Sequence, residues 1–153
     1  MTLLDANILI HNQNSQSALH QHCKDWLDEE LESGRVIAVC WLVLFAYLRI
    51  TTNRRISKHP IPSALALKSC SEFIRLDNVR VLDPGPRHMD IVTHLADDLR
   101  ASGNDLMDVH LAALAIEHGI ALCTTDRGFR RFHRLRLIEA GLDLLERGLD
   151  LRF

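Results

Sequence analysis

Short apolar runs alternate along this chain with longer stretches of helical period. Leu3-Leu4, Val36-Ile37-Ala38-Val39-Cys40 and Ala121-Leu122-Cys123 read as buried strands. Val79-Arg80-Val81-Leu82 predicts a fourth strand, stopped by the turn Asp83-Pro84-Gly85-Pro86, and Leu135-Arg136-Leu137-Ile138 a fifth. Between them, Ala18, Trp26, Leu27 and Leu31 space an amphipathic helix that Gly34 closes. SALALKSCSEFIRL, from Ser63 behind Pro62, predicts another, and Ile91, Leu95 and Leu99 a third. The most regular is DVHLAALAIEHG, 108–119, whose alanines and leucines suit packing on a sheet and whose Gly119 supplies the stop. Strands alternating with helices predict an α/β fold with a mainly parallel central sheet.

Composition changes little in this picture. The 153 residues contain no linker-like stretch, so a single domain over 1–153 is expected, with 139–153 as a C-terminal extension. Two GLDL tetrads, at 141–144 and 148–151, suggest an amphipathic terminal segment there. No apolar run approaches the roughly 20 residues that span a bilayer, and the N-terminus does not resemble a secretory leader. A cytoplasmic location is therefore expected. Cys23, Cys40, Cys70 and Cys123 are scattered without a C-x-x-C pair, as for reduced, packed thiols.

Net charge is −2, but its distribution is uneven. No acid occurs from Ser33 to Ser71, whereas Arg35, Arg49, Arg54, Arg55, Lys58 and Lys68 do. The stretch from Arg127 to Arg136 holds five arginines and no acid. Such clusters form either a phosphate-binding footprint or an unevenly charged solvated face.

The chemistry-bearing candidates are three aspartates. Asp5 interrupts TLLDANILI, and the second apolar run, Ile8-Leu9-Ile10, begins only two residues after it. An unpaired buried carboxylate is expensive, so Asp5 needs a partner, a proton or a cation. Asp126 follows Thr124 and Thr125 at a comparable strand end, where ligands of open parallel sheets collect. Asp108 opens the alanine-rich helix, where the dipole favours a negative charge. Taken singly, Asp5 and Asp108 are also readable as caps and Asp126 as a turn residue. Together at one sheet edge they would repel each other unless a divalent cation held them, and oxygen ligands suit Mg²⁺ or Mn²⁺.

LLDANILI at 3–10, LRITTNRRI at 48–56, MDVHLAALAIEHG at 107–119 and TTDRGFRRF at 124–132 resemble, in this order, the PIN-domain ribonucleases. The likeness is strongest to the VapC-type toxins of bacterial toxin–antitoxin pairs and covers about residues 1 to 138. It implies a three-layer α/β/α sandwich and a Mg²⁺-dependent (or Mn²⁺-dependent) endoribonuclease whose metal-binding and catalytic carboxylates are Asp5, Asp108 and Asp126. It also implies an RNA substrate, a VapB-type antitoxin as partner, and a homodimer. Asn7, Asp105 and Arg49 are possible accessory residues, Asn7 orienting Asp5 or starting a helix. Asp105 is expected as the helix cap or as a substitute acid, and Arg49 as the partner of a carboxylate near the pocket or of RNA. Arg127, Arg130 and Arg131, just after Asp126, are candidates for phosphate contact.

One departure stands out. Many PIN domains place a glutamate five residues before the arginine of this second motif, on the helix that follows the second strand, and Leu44 holds that place here. This motivates the alternative reading, a catalytically weak or inactive PIN-fold module that binds RNA or protein. A receiver domain would want a late lysine, yet Lys24, Lys58 and Lys68 all lie in the first half. A haloacid-dehalogenase-like phosphatase would want an acid where Asn7 stands. His20-Gln21-His22-Cys23 lacks the second ligand pair that zinc requires, and His110 and His118 have no accompanying nucleophile.

Overall fold

A computed structural model describes residues 1–140. The expected C-terminal amphipathic segment lies outside the described residues from 141 onward. The elements run β1 (Thr2–Leu4), α1 (Ala6–Gln13), α2 (His20–Glu32), β2 (Ile37–Val39), α3 (Trp41–Thr52) and α4 (Ser63–Phe73). Then follow β3 (Val79–Val81), α5 (His88–Leu99), α6 (Asp105–Glu117), β4 (Ala121–Thr124), a 3₁₀ turn (Arg127–Arg131) and β5 (Arg136–Glu139). All five expected strands are present.

The strands form one sheet in the order β3-β2-β1-β4-β5, and every neighbouring pair is parallel. Chain order dictates the layers. The connections from β1 to β2 and from β2 to β3 step one way across the sheet, whereas that from β3 to β4 steps back past β1. Right-handed crossovers then place α1–α4 on one face and α5–α6 on the other, a three-layer α/β/α sandwich. The order reverses between β1 and β4, and at such a switch point a parallel sheet opens a crevice at its carboxyl edge.

β1 is central, with Leu3 and Leu4 inaccessible to solvent, and each fully buried leucine contributes roughly 1.5–3 kcal/mol. Its register, Leu3 beside Leu122 and Leu4 beside Cys123, continues into a bond from the Asp5 N–H to the Cys123 carbonyl (2.9 Å). Ile8-Leu9-Ile10 lies within α1. It shows no amphipathic period because Ala6, Ile8, Leu9, Ile10 and His11 are all buried.

The second helix begins at His20 rather than near Ala18. Asn14 and Ser17 accept bonds from the N–H groups of Gln16 (3.1 Å) and Leu19 (3.1 Å), making a turn before it. Gly119, φ +64°, ends α6 in the left-handed region that favours glycine. Cys23, Cys40 and Cys123 are buried and all four cysteines are unpaired, as expected of packed thiols. No helix among the described residues is long and apolar enough to cross a membrane.

Candidate active site

The crevice at the switch point is a cleft of about 440 Å³, with Asp5, Asp108 and Asp126 among its lining. Three elements deliver them: the end of β1, the first turn of α6 and the end of β4.

Asp5 is the most constrained. Its Oδ2 accepts bonds from the Asn7 amide (2.6 Å) and the Thr124 hydroxyl (2.7 Å). Burial raises its pKa to about 6, against the Thr124 and Ala6 hydrogen bonds that favour the ionised form; the charges of Asp126 and Asp108 push it further up. Asp5 precedes α1 without capping it through its side chain. Asn7 also bonds the Thr124 hydroxyl (3.0 Å), and its own carbonyl accepts from the Thr125 N–H (3.2 Å). Thr124, wholly buried, is therefore the hub: it donates to Asp5 and accepts from Asn7 and from the Asp126 N–H (3.0 Å). Sequence reasoning passed over Thr124. The available signal was a hydroxyl residue at the buried end of an apolar strand, where it needs polar partners.

Asp126 is held by the Gly128 N–H, which donates to its Oδ1 (2.7 Å) and starts the 3₁₀ turn. A Cβ at Gly128 would lie 3.0 Å from that same oxygen, so the glycine makes the approach possible. Asp108 accepts a bond from Arg131 Nη2 (2.9 Å), and Asp105 from Nη1 (3.0 Å). Burial raises the Asp108 pKa, Arg131 opposes this, and Asp126 and Asp105 add to it.

The remaining candidates take the following positions. Asp105 is not the cap of α6 but its first residue; Asn104 stands before it, and the Asp105 carboxylate faces Arg131. Arg131 spans Asp105 and Asp108, and Arg130 pairs with Glu139 (2.5 Å). Arg131 Nε is also buried without a hydrogen-bond partner among the described residues. Arg49 is exposed on the cleft wall, not buried, and has no ion pair among the described residues; Arg127 is exposed. Finally, Leu44 is 3% exposed and lines, with Leu9, Leu27 and Tyr47, a small hollow separate from the cleft. The residues of α3 that face the cleft are Leu42, Val43, Phe45, Ala46, Arg49 and Ile50. This wall is acid-free whichever position is counted.

The histidines go elsewhere. His110 Nδ1 meets His88 Nε2 (2.9 Å), and His88 Nδ1 meets Glu117 (3.3 Å), a chain that lines no part of the cleft. His20 bonds the His11 carbonyl (3.0 Å), and Cys23 is turned into the core.

By donor chemistry the cleft fits a hard divalent cation: its ionisable donors are carboxylates whose mutual repulsion a cation would relieve. Among the described residues, no three acidic, histidine or cysteine side chains lie close enough to enclose an ion, and Asp108 is bonded to Arg131.

A family model described as the PIN domain matches residues 2–135. Ribonuclease VapC31 of Mycobacterium tuberculosis is 35% identical over 142 residues, covering 93% of this chain and all of the relative. Ribonuclease VapC25 of the same organism is 35% identical over 138 residues, 90% of this chain and 97% of the relative. Among solved structures, VapBC2 from Rickettsia felis bound to a promoter DNA fragment superposes with a TM-score of 0.67 at 19% identity, covering 91% of this chain and 98% of that one. The match starts in β1 and ends just before β5, so it takes in every element that delivers an aspartate to the cleft: the chain belongs to the PIN-domain family.

Proposed function

We propose that this chain is a metal-dependent endoribonuclease that hydrolyses RNA phosphodiesters and acts as the toxin of a toxin–antitoxin pair. One observation carries the reading: Asp5, Asp108 and Asp126, far apart in sequence, line one cleft at the switch point of a parallel sheet. The names of the VapC relatives support the reaction, and the VapBC complexes among the structural neighbours support a VapB-type partner.

In this reading Asp5, Asp108 and Asp126 hold Mg²⁺ or Mn²⁺. Once bound, such an ion lowers the pKa of water and neutralises charge on the phosphodiester. The chain's own residues do the rest. Asn7 and Thr124 keep the Asp5 carboxylate in one orientation, and Gly128 does the same for Asp126. Arg49 and Arg127, exposed and without ion pairs among the described residues, contact the flanking phosphates. In the metal-free protein the Asp5 pKa is raised to about 6, so protons compete with the cation for this carboxylate in mild acid, which weakens activity there.

Exposed Trp41, Phe45, Leu65 and Leu67 on α3 and α4 offer an apolar face for an antitoxin segment and for a second copy in a homodimer. The whole chain, 1–153, is read as one domain acting in the cytoplasm.

A second reading, a weak or inactive RNA- or protein-binding module, is favoured by the acid-free α3 wall and the engagement of Asp108 by Arg131. The test is cleavage of structured RNAs by purified protein with Mn²⁺, alongside Asp5→Asn and Asp108→Asn. Loss of cleavage in both variants is expected; equal trace cleavage in all three would leave only the binding module.

A further inference from the structure

A second, larger cavity of about 670 Å³ adjoins the acidic cleft. Ile10 and Ile50 line both, so the two hollows share one wall. α1 runs from Asn7 at the cleft to Gln13 at the second cavity, about 9 Å along the helix axis. α3 does the same from Leu42 to Thr51.

The chemistry changes along that path. The cleft holds carboxylates, whereas the second cavity has none in its lining. Its polar lining includes the amides of Gln13, Asn14 and Gln16 from one segment and Lys58 and His59 from the other. Both segments that build it are free of acids, from Ala6 to Lys24 and from Ser33 to Ser71, and Arg54 and Arg55 stand exposed on the second. The pocket is also held in shape from within. Asn14 and Ser17 brace one loop through backbone N–H groups, and the Ile61 N–H bonds the Thr51 carbonyl (2.9 Å) across the other. Among the described residues no hydrogen bond or ion pair engages the Gln16 amide or the Lys58 ammonium.

We propose that this cavity is a nucleotide subsite of an RNA-binding groove, taking the nucleotide next to the one at the acidic cleft. The inference rests on the reading that the cleft acts on RNA, and it names where the substrate is gripped. Lys58 and His59 face the phosphate, the Asn14 and Gln16 amides hydrogen-bond a base edge, and Ile10, Ile50 and Ile61 contact its flat face. Single-stranded RNA is recognised in this way, by splayed bases held on apolar or planar surfaces and read at their edges. An anion fits an acid-free cavity, and only a polymeric one occupies both hollows at once.

The test measures binding of a fluorescently labelled single-stranded oligoribonucleotide of mixed sequence to the Asp108→Asn protein, without and with Lys58→Ala or Gln16→Ala. Thermal melting verifies that the added surface changes leave the fold intact. Lys58→Ala is expected to weaken binding about three- to tenfold and to lower the log–log salt slope by about one. Gln16→Ala is expected to weaken binding about threefold with the slope unchanged, as for loss of a neutral contact. Unchanged affinity and slope in both variants, with wild-type protein cleaving RNA in Mn²⁺, would overturn the subsite and leave the nuclease reading standing. Sensitivity to Lys58 and Gln16 without any wild-type cleavage would support the subsite and overturn the nuclease. Absence of both binding and cleavage would overturn both.

Discussion

Replacing Thr124 by valine removes one hydroxyl and almost no volume, and it isolates what holds Asp5. That hydroxyl donates to Asp5 (2.7 Å) and accepts from Asn7 (3.0 Å) and from the Asp126 N–H (3.0 Å), with no solvent to replace it. Asp5 sits at about 6 against an ordinary 3.8, which is about 3 kcal/mol against its ionised form in the folded state. Because the folded value lies above the unfolded one, stability declines as pH rises from about 4 to about 6 and then levels off. A hydrogen bond to a charged group contributes about 1.5–3 kcal/mol, so its loss raises the Asp5 pKa by about one further unit or more. The assay is the pH profile of Mn²⁺ affinity, in which protons compete with the cation for Asp5 and set the acidic limb. Thr124→Val should move the acidic limb up by about one unit, with a melting temperature lower by roughly 3–10 °C. Thr124→Ser should restore the limb because it restores the hydroxyl. Superimposable limbs for wild type and valine variant, or a serine variant no better than valine, would refute the hub role.

Asp5→Asn should stabilise the protein by about 1–3 kcal/mol above pH 6, where the ionised carboxylate is costly, and the gain should vanish near pH 4; urea unfolding at both pH values measures it. Gly128→Ala, whose Cβ would crowd Asp126 Oδ1 at 3.0 Å, should reduce cleavage about tenfold with less than about 1 kcal/mol lost in stability. Wild-type turnover in that variant would show that the Asp126 position is not critical. Arg131→Gln frees Asp105 and Asp108 from their shared cation, so Mn²⁺ should raise its melting temperature by more than it raises that of the wild type. An equal or smaller rise would mean that Arg131 does not compete for Asp108.

Periodicity carried far in this chain. β1, β2 and β4 were legible as unbroken apolar runs because they are buried, the edge strands β3 and β5 as apolar positions around Arg80 and Arg136, and the helix holding Asp108 because its period is sustained over several turns. α1 was legible only through Asp5 and Asn7 as residues that start a helix, because burial nearly all round erases the amphipathic signal. Capping residues were the weakest inference. Asp105 and Asn104 are both acceptable caps in sequence, and neither Asp5 nor Asn104 makes a side-chain capping bond.

For the site, local sequence singles out three aspartates at element boundaries, in four motifs in PIN-domain order. It also showed that the helix after β2 brings no acid. What each group faces follows from packing between distant segments. Strand order brought β1 beside β4, across more than a hundred residues, and so put Thr124 between Asp5 and Asp126. The same packing turned Leu44 inward, left Arg49 on the cleft wall, and committed Arg131 to Asp105 and Asp108. Side-chain direction and pairing depend on neighbours distant in the chain, and local sequence constrains only neighbours within a few residues.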